Sequence, residues 1–238
     1  MKTPYGLPVI ADCIGCKVKV KDGLCDLPET SLREWNQIRQ NSVYPAHALL
    51  FVEDQPAQSV IFLCVGQVKL YSAAPDGTTI IYRICNPGEF LGLSEALKRT
   101  SYQTIAETLE PCVVNHIRID DLEKLIRRSP EIATRVTRQL SGEVQAMRHQ
   151  LRELRFHDTA IERLASFLAA WSKGDERLSL RLTHEEIADM LGLARETVTR
   201  TMRELKDRNV IRITGHLLTI VNREALHDLS NGCLNGQV

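Results

Sequence analysis

The chain has no net charge, because its 30 lysines and arginines balance 30 aspartates and glutamates. It is therefore no polycation that coats nucleic acid indiscriminately, and any affinity for DNA must come from a local cluster such as Arg195, Arg200, Arg203, Lys206, Arg208 and Arg212. It also lacks an apolar run long enough to cross a bilayer; the stretch at 59–65 is soon broken by Gly66 and Gln67. No charged-then-apolar leader opens the sequence, so the expected localisation is cytoplasmic, with no membrane partner. There is no Gly-x-Ser-x-Gly element and no glycine-rich phosphate loop, and the seven histidines are scattered. No compact nucleophile and base pair results, so the expectation is that the protein is not an enzyme. A Cys-x-x-Cys pair could signal thiol redox catalysis, but the thioredoxin-like βαβ pattern that reading needs is absent.

What is present fits two ordinary domains, since 238 residues with 43% hydrophobic and 25% charged content are normal for a folded chain. Residues 182–205 read as two short helices joined at Gly192. Ile187 and Leu191 share a face of the first, and Val198, Met202 and Leu205 form an apolar stripe on the second at spacings of four and three. The opposite face of the second helix carries Arg195, Glu196, Thr199 and Arg200 close to its N-terminus, where a helix-turn-helix protein presents side chains to the major groove. Residues 210–221 then give two β-rich runs around Thr214-Gly215-His216, a hairpin pattern. A helix pair followed by a small β wing is a winged helix.

From 42 to about 119, β-rich runs at 48–53, 60–63, 67–73, 78–84, 105–107 and 113–119 alternate with turn chemistry, which predicts a jelly roll. Residues 28–40 precede it with a short helical pattern, and 120–127 follow it with another. A long helix is predicted from 130 to 155. Its apolar residues Ile132, Val136, Leu140, Val144 or Met147, Leu151 and Leu154 recur at spacings suited to a two-fold dimer seam, with packing on the chain's own roll as the alternative. A further helix over 157–174 begins the last domain.

Seven cysteines are many for such a chain, and the odd count argues against a complete set of internal disulfides. Cys13-x-x-Cys16 places two thiols on one tight turn and Cys25 returns within loop distance, a pattern suited to a metal centre. Zinc, an iron-sulfur cluster and a thiol-disulfide switch all use such residues and stay open at this point. Cys64, Cys85 and Cys112, taken singly, read as small buried apolar residues.

Several of these segments together carry a family resemblance. Thr183-His184-Glu185-Glu186-Ile187-Ala188, the segment Gly192-Leu193-Ala194-Arg195-Glu196-Thr197-Val198-Thr199-Arg200 and the wing resemble the DNA-binding domain of Crp/Fnr transcription regulators. Gly66-x-Val68-Lys69-Leu70, Pro75-Asp76-Gly77 and Pro87-Gly88-Glu89-Phe90-x-Gly92 resemble the cyclic-nucleotide-binding-type β-roll of that family. The implied architecture is α+β: a cysteine-rich segment (1–28), a β-roll sensor domain (29–128), a dimerisation helix (129–155) and a winged helix-turn-helix domain (156–238). The implied partners are double-stranded DNA with inverted half-sites of the TGTGA or TTGAT kind, a second copy of the chain through Ile132, Val136, Leu140, Met147 and Leu151, and RNA polymerase. Thr183, His184, Arg195, Glu196, Thr199 and Arg200 are the implied DNA contacts.

For the input signal, the resemblance to cyclic-AMP-binding members breaks down. Leu93 stands where they carry a ribose-binding Glu, and Tyr102 and Gln103 where they carry a phosphate-binding Arg-Ser pair, so cAMP binding is not expected. The N-terminal cysteines instead resemble those of Fnr-type oxygen sensors. That implies a four-iron sulfur cluster on Cys13, Cys16 and Cys25, with Cys112 as the fourth ligand. Anchored on Ile117, Cys112 falls a few residues early, and an odd offset would turn its side chain to the other face of the strand.

Overall fold

Five successive buried residues in one strand, 60–64, show that the sheet carrying them is covered on both faces. The computed structural model describes residues 5–20, 23–156, 159–172, 177–179, 182–215 and 217–230, with backbone alone for 149–150, 152–156 and 177–179. The chain divides into two compact units, Met1–Val144 and Gln145–Val238.

In the first unit, helix α1 (Glu29–Ile38) leads into β1 (Arg39–Tyr44), β2 (Leu49–Phe51), β3 (Ser59–Val65), β4 (Val68–Ala73), β5 (Thr79–Cys85) and β6 (Phe90–Leu91). Helix α2 (Leu93–Lys98), strands β7 (Ile105–Thr108) and β8 (Cys112–Arg118), helix α3 (Ile119–Arg128) and the long α4 (Pro130–Phe156) follow. The strands form two four-stranded antiparallel sheets, β1-β8-β3-β6 and β2-β7-β4-β5. This is the expected roll. The outer face of the first sheet is covered by α1, whose fully buried Trp35 meets Phe62 and Phe90 edge-on at 5.5 and 5.8 Å.

The helix read through residue 40 stops at Ile38, because Arg39 is already extended and opens β1. Strands β1 and β6 and helix α2 have no counterpart among the expected elements. The two residues of β6 are too few to show alternation, and α2 starts at Gly92, whose left-handed backbone (φ +68) makes the bend. A Cβ there would meet the Tyr102 ring at 2.5 Å, so only glycine fits.

Strand β3 pairs with β8 in regular register through Leu63↔Val114, then slips so that Val65 faces Val113. Cys64 is the extra residue of this β-bulge, outside the ladder. Bulges of this kind re-aim one side chain while the sheet continues.

The boundary between units falls inside α4, within the span read as a dimerisation helix. In the second unit, α5 (Ala160–Ser172) is followed by β9 (Arg177–Ser179), α6 (His184–Leu191), α7 (Arg195–Asp207), β10 (Ile211–Thr214), β11 (Leu217–Ile220) and α8 (Arg223–Ser230). The expected wing is the β10–β11 hairpin, with Gly215 at its turn and His216 outside the described residues. It gains β9 as a third strand, and α8 packs on α5; neither was legible as an element. The ends of the helix read over 157–174, at 157–158 and 173–174, and Cys233 also lie outside the described residues.

Candidate DNA-reading surface and thiol site

Helix α6 begins with a capping box: the Thr183 hydroxyl accepts from the Glu186 N–H at 3.1 Å, and the Glu186 carboxylate accepts from the Thr183 N–H at 2.9 Å. It ends at Gly192, left-handed at φ 62, whose N–H returns to the Ala188 carbonyl. Arg163 of α5 also donates to the Leu191 carbonyl at 3.3 Å. Helix α6 is thereby closed at both ends and tied to α5, and α7 packs against both. Val198, Met202 and Leu205 of α7 are buried, as the stripe predicts.

Arg195, Glu196, Thr199 and Arg200 are exposed on the opposite face. The backbone N–H groups at the start of α7 have no side-chain cap, which leaves donors and the positive end of the helix dipole at that surface. Thr199 is more committed than the sequence suggests. Its hydroxyl donates to the Arg195 carbonyl at 3.0 Å and lies 2.9 Å from His184 Nδ1, so Nδ1 carries the proton in that contact. What Thr199 leaves outward is its methyl group. His184 accordingly joins α6 to the reading face, and Thr183 serves α6 as its cap.

The α4 seam divides in two. Ile132 and Val136 are buried in the roll's own core and Leu140 packs against it, which corrects the expectation that all of them face a partner. A side chain with no exposed surface in one chain has none to give to another. Val144 is half exposed, and Met147 and Leu151 are 63% exposed. Gln139, on the same helix, clasps Phe90: the Phe90 N–H donates to its Oε1 at 2.8 Å and its Nε2 donates to the Phe90 carbonyl at 2.9 Å. A cleft of 160 Å³ beside that clasp is lined by Gly23, Leu24, Gly88 and Glu89 as well as Arg135 and Arg138.

In the N-terminal segment the Asp12 carboxylate accepts from the Gly15 N–H at 2.7 Å and closes the turn that carries Cys13 and Cys16. Cys25 sits in a single 3-10 turn, Leu24–Asp26. These three thiols come together, with a fourth that the sequence did not single out for the site. Cys64 lies within electrostatic reach of Cys25, Cys13 and Cys16, Cys13 within reach of Cys25 and Cys16, and Cys25 within reach of Cys16. Burial pushes the Cys13, Cys25 and Cys64 thiols up, and the neighbouring thiols add to the rise. A polar strut ties the group together. Asn36 Oδ1 accepts from the Cys13 N–H (3.0 Å) and Arg39 Nε (2.8 Å), Arg39 Nη1 donates to Asn115 Oδ1 (3.1 Å), and Asn115 Nδ2 donates to Cys64 Sγ (3.2 Å).

One buried donor in this region is left over. Trp35 Nε1–H has no partner at bonding distance, yet lies near enough to Cys13 to favour its ionised form. A buried N–H without an acceptor costs about 1–3 kcal/mol. A thiolate at Cys13 would supply the acceptor. Among the described residues no three His, Cys, Asp or Glu side chains already stand at metal-holding spacing, so the thiols are gathered rather than assembled around a point.

Cys112 is not part of this group. It lies three positions from Asn115 in β8 and so on the other face, where its Sγ donates to the Glu110 and Gln67 carbonyls and blocks any Cβ at Gly66. Burial pushes it up to about 12. The expected fourth thiol thus stands on the opposite face of the strand from Asn115. Cys85 is also apart, fully buried under the Arg83 guanidinium at 3.3 Å. Finding Cys64 from sequence would have needed the β3–β8 register, which no local pattern encodes.

Tyr102 is buried, stacked on Phe51 at 3.9 Å, and donates its hydroxyl to the Ser59 carbonyl at 2.6 Å.

Comparison with known proteins agrees with this geometry. The cyclic nucleotide-binding domain family matches residues 42–129, and the Crp-like helix-turn-helix domain family matches 162–229. The transcriptional activatory protein AadR of Rhodopseudomonas palustris is 30% identical over 185 residues, 75% of this chain and 76% of its own length. The cAMP-activated global transcriptional regulator CRP of Haemophilus influenzae is 28% identical over 187 residues, 74% of this chain and 82% of its own. Among solved structures, FixK2 from Bradyrhizobium japonicum superposes with a TM-score of 0.74 at 26% identity, covering 81% of this chain and 97% of that one.

Proposed function

Since the chain belongs to the Crp/Fnr family of transcription regulators, we propose that it binds inverted DNA half-sites as a homodimer and takes its input through a thiolate-held iron-sulfur cluster, of four-iron type, at its N-terminal cysteines. It is a DNA-binding regulator of that type. The finer reading of the input rests on one observation: Cys13 and the roll's Cys64 are joined by the Asn36–Arg39–Asn115 strut, with Cys16 and Cys25 packed against the same core, beside an indole N–H that lacks an acceptor. This donor set fits the group. When bound, the cluster supplies a centre that dioxygen can oxidise and dismantle.

The chain's residues do the rest. Asp12 shapes the turn that presents Cys13 and Cys16, Asn115 donates to the Cys64 sulfur, the unpartnered Trp35 indole N–H would find its acceptor in a Cys13 thiolate, and the surrounding apolar core limits access of water. Arg195 and Arg200 donate to guanine O6 and N7, Glu196 accepts from cytosine N4, and the Thr199 methyl meets a thymine methyl. Met147 and Leu151 meet their counterparts on a second copy. RNA polymerase is the partner that turns occupancy into transcription.

A thiol-disulfide switch at the same cysteines is less well supported, because reactive cysteines are those whose pKa is lowered, and here burial raises it. The filled space around Tyr102 argues in the same way against a nucleotide in the roll. Strictly anaerobic purification with an absorption spectrum, iron and sulfide assays and an operator shift tests the reading. Visible absorption that air bleaches together with DNA binding supports it. Colourless, iron-free protein after anaerobic reconstitution removes the cluster, and stoichiometric zinc in the same sample replaces it with a structural metal site.

A further inference from the structure

We propose that Cys64, presented by the β3 bulge and held by the Asn115 amide, is the fourth thiolate of the site formed by Cys13, Cys16 and Cys25, and that Cys112 takes no part. This rests on the cluster reading above and deepens it by naming the complete ligand set.

Strand parity carries the first step. Asn115 pairs directly with Phe62, so the two side chains share the face that Trp35 covers, and the 3.2 Å contact from Asn115 puts Cys64 Sγ on that face too. Cys112, an odd number of residues from Asn115, faces away and has its thiol engaged by two carbonyls. The bulge carries the second step. Because Cys64 is outside the ladder, its side chain can turn toward the N-terminal segment without breaking the pairing of β3 with β8. The strut carries the third: Asn36, Arg39 and Asn115 connect the Cys13 backbone to the Cys64 sulfur through hydrogen bonds of 2.8–3.2 Å. Arg39 also reaches the Ala11 carbonyl at 2.5 Å, so the leader is fixed over this part of the sheet.

Asn115 Nδ2–H suits a thiolate better than a thiol. An amide donor to an ionised acceptor makes a stronger bond than one to a neutral sulfur. Ligation would release the Cys64 proton to solvent and leave the oxidation state of its sulfur unchanged.

The full-length chain is reconstituted anaerobically with ferrous iron and sulfide as wild type, Cys16→Ser, Cys64→Ser and Cys112→Ser, and iron and sulfide per chain are measured with the visible spectrum. Near-ultraviolet circular dichroism of the iron-free forms checks folding. Cys64→Ser and Cys16→Ser should both fall to background, whereas Cys112→Ser should hold the wild-type content and spectrum. Folded Cys64→Ser with wild-type iron, or loss of iron from folded Cys112→Ser, overturns the assignment. If Cys64→Ser does not fold, the Cys112→Ser result decides alone. Failure of the wild type itself to take up iron is a different outcome, which sinks the cluster reading rather than the choice of its fourth ligand.

Discussion

On α7 the charged side chains point outward, and among the described residues Arg195, Glu196 and Arg200 form no ion pair with the rest of the chain. Around Cys13 and Cys64 the reverse holds: Asn36, Arg39 and Asn115 are all committed to one another, to backbone carbonyls or to sulfur. A surface that reads bases must keep its donors and acceptors available until DNA arrives, so those groups contribute little to stability. A site that gathers thiols inside a core must satisfy nearly all the polar groups it buries, the Trp35 indole N–H being the one left over among the described residues, so those same residue types become part of the fold.

The sharpest contrast lies along one helix. Ile132→Ala should lower the unfolding free energy by roughly 2–5 kcal/mol, because it opens a cavity in the roll. Leu151→Glu should leave that quantity within about 0.5 kcal/mol and instead shift the chain to monomer, since an unpaired carboxylate is strongly disfavoured in an apolar seam. Denaturant unfolding and sedimentation separate the two. An undisturbed dimer for Leu151→Glu would move the interface elsewhere.

The next contrast uses arginine at both places. Arg200→Ala should weaken discrimination between operator and scrambled duplex by about 1–3 kcal/mol, read as a ratio of affinities at fixed salt. Its melting temperature should not move. Arg39→Ala should do the opposite, with a stability loss of roughly 1–3 kcal/mol from the acceptors it strands. An unchanged affinity ratio for Arg200→Ala would remove α7 as the reader.

Thr183→Ala should cost about 1 kcal/mol of stability in the DNA-binding unit through loss of the cap. The preference for operator over scrambled duplex should survive. A collapse of that preference with no stability loss would make Thr183 a base contact instead of a cap.

The smallest expected effects concern protons. Burial holds His116 below its ordinary value, so the unfolded state gains a proton first as pH falls. Its contribution is present above about pH 6.5 and is lost as pH falls toward its folded value, so His116→Gln should flatten the acid limb of a stability profile. At the thiols the sign is reversed. Cys13, Cys25 and Cys64 hold their protons beyond the ordinary thiol range, and ligation must release them. Apparent affinity for iron or zinc should therefore rise with pH across the neutral range, and a flat profile would argue against thiolate ligation.

Much of the DNA-binding unit was legible locally. Gly192 and the 198-202-205 stripe each encode their structure within a turn or two of helix, whereas Thr183 was expected as a DNA contact and its cap with Glu186 was not expected. The thiol site was half legible. Cys13, Cys16 and Cys25 are close in sequence, but their fourth neighbour depends on how β3 and β8 align, on a one-residue slip at Leu63/Val65, and on where Trp35 lands, all of which are settled by pairing across about fifty residues. The dimer seam was misread at its start for a related reason: periodicity identifies an apolar stripe but not what covers it, and the roll claims Ile132 and Val136 first.

The bulge at Cys64 also bears on how such a protein changes over generations. A residue inside a ladder is constrained by its cross-strand partner and by the alternation of faces, whereas a bulged residue has neither obligation. On the proposed ligation, substitution at 64 would add or remove a ligand while the β3–β8 sheet persists, so the input chemistry would be free to diverge faster than the architecture.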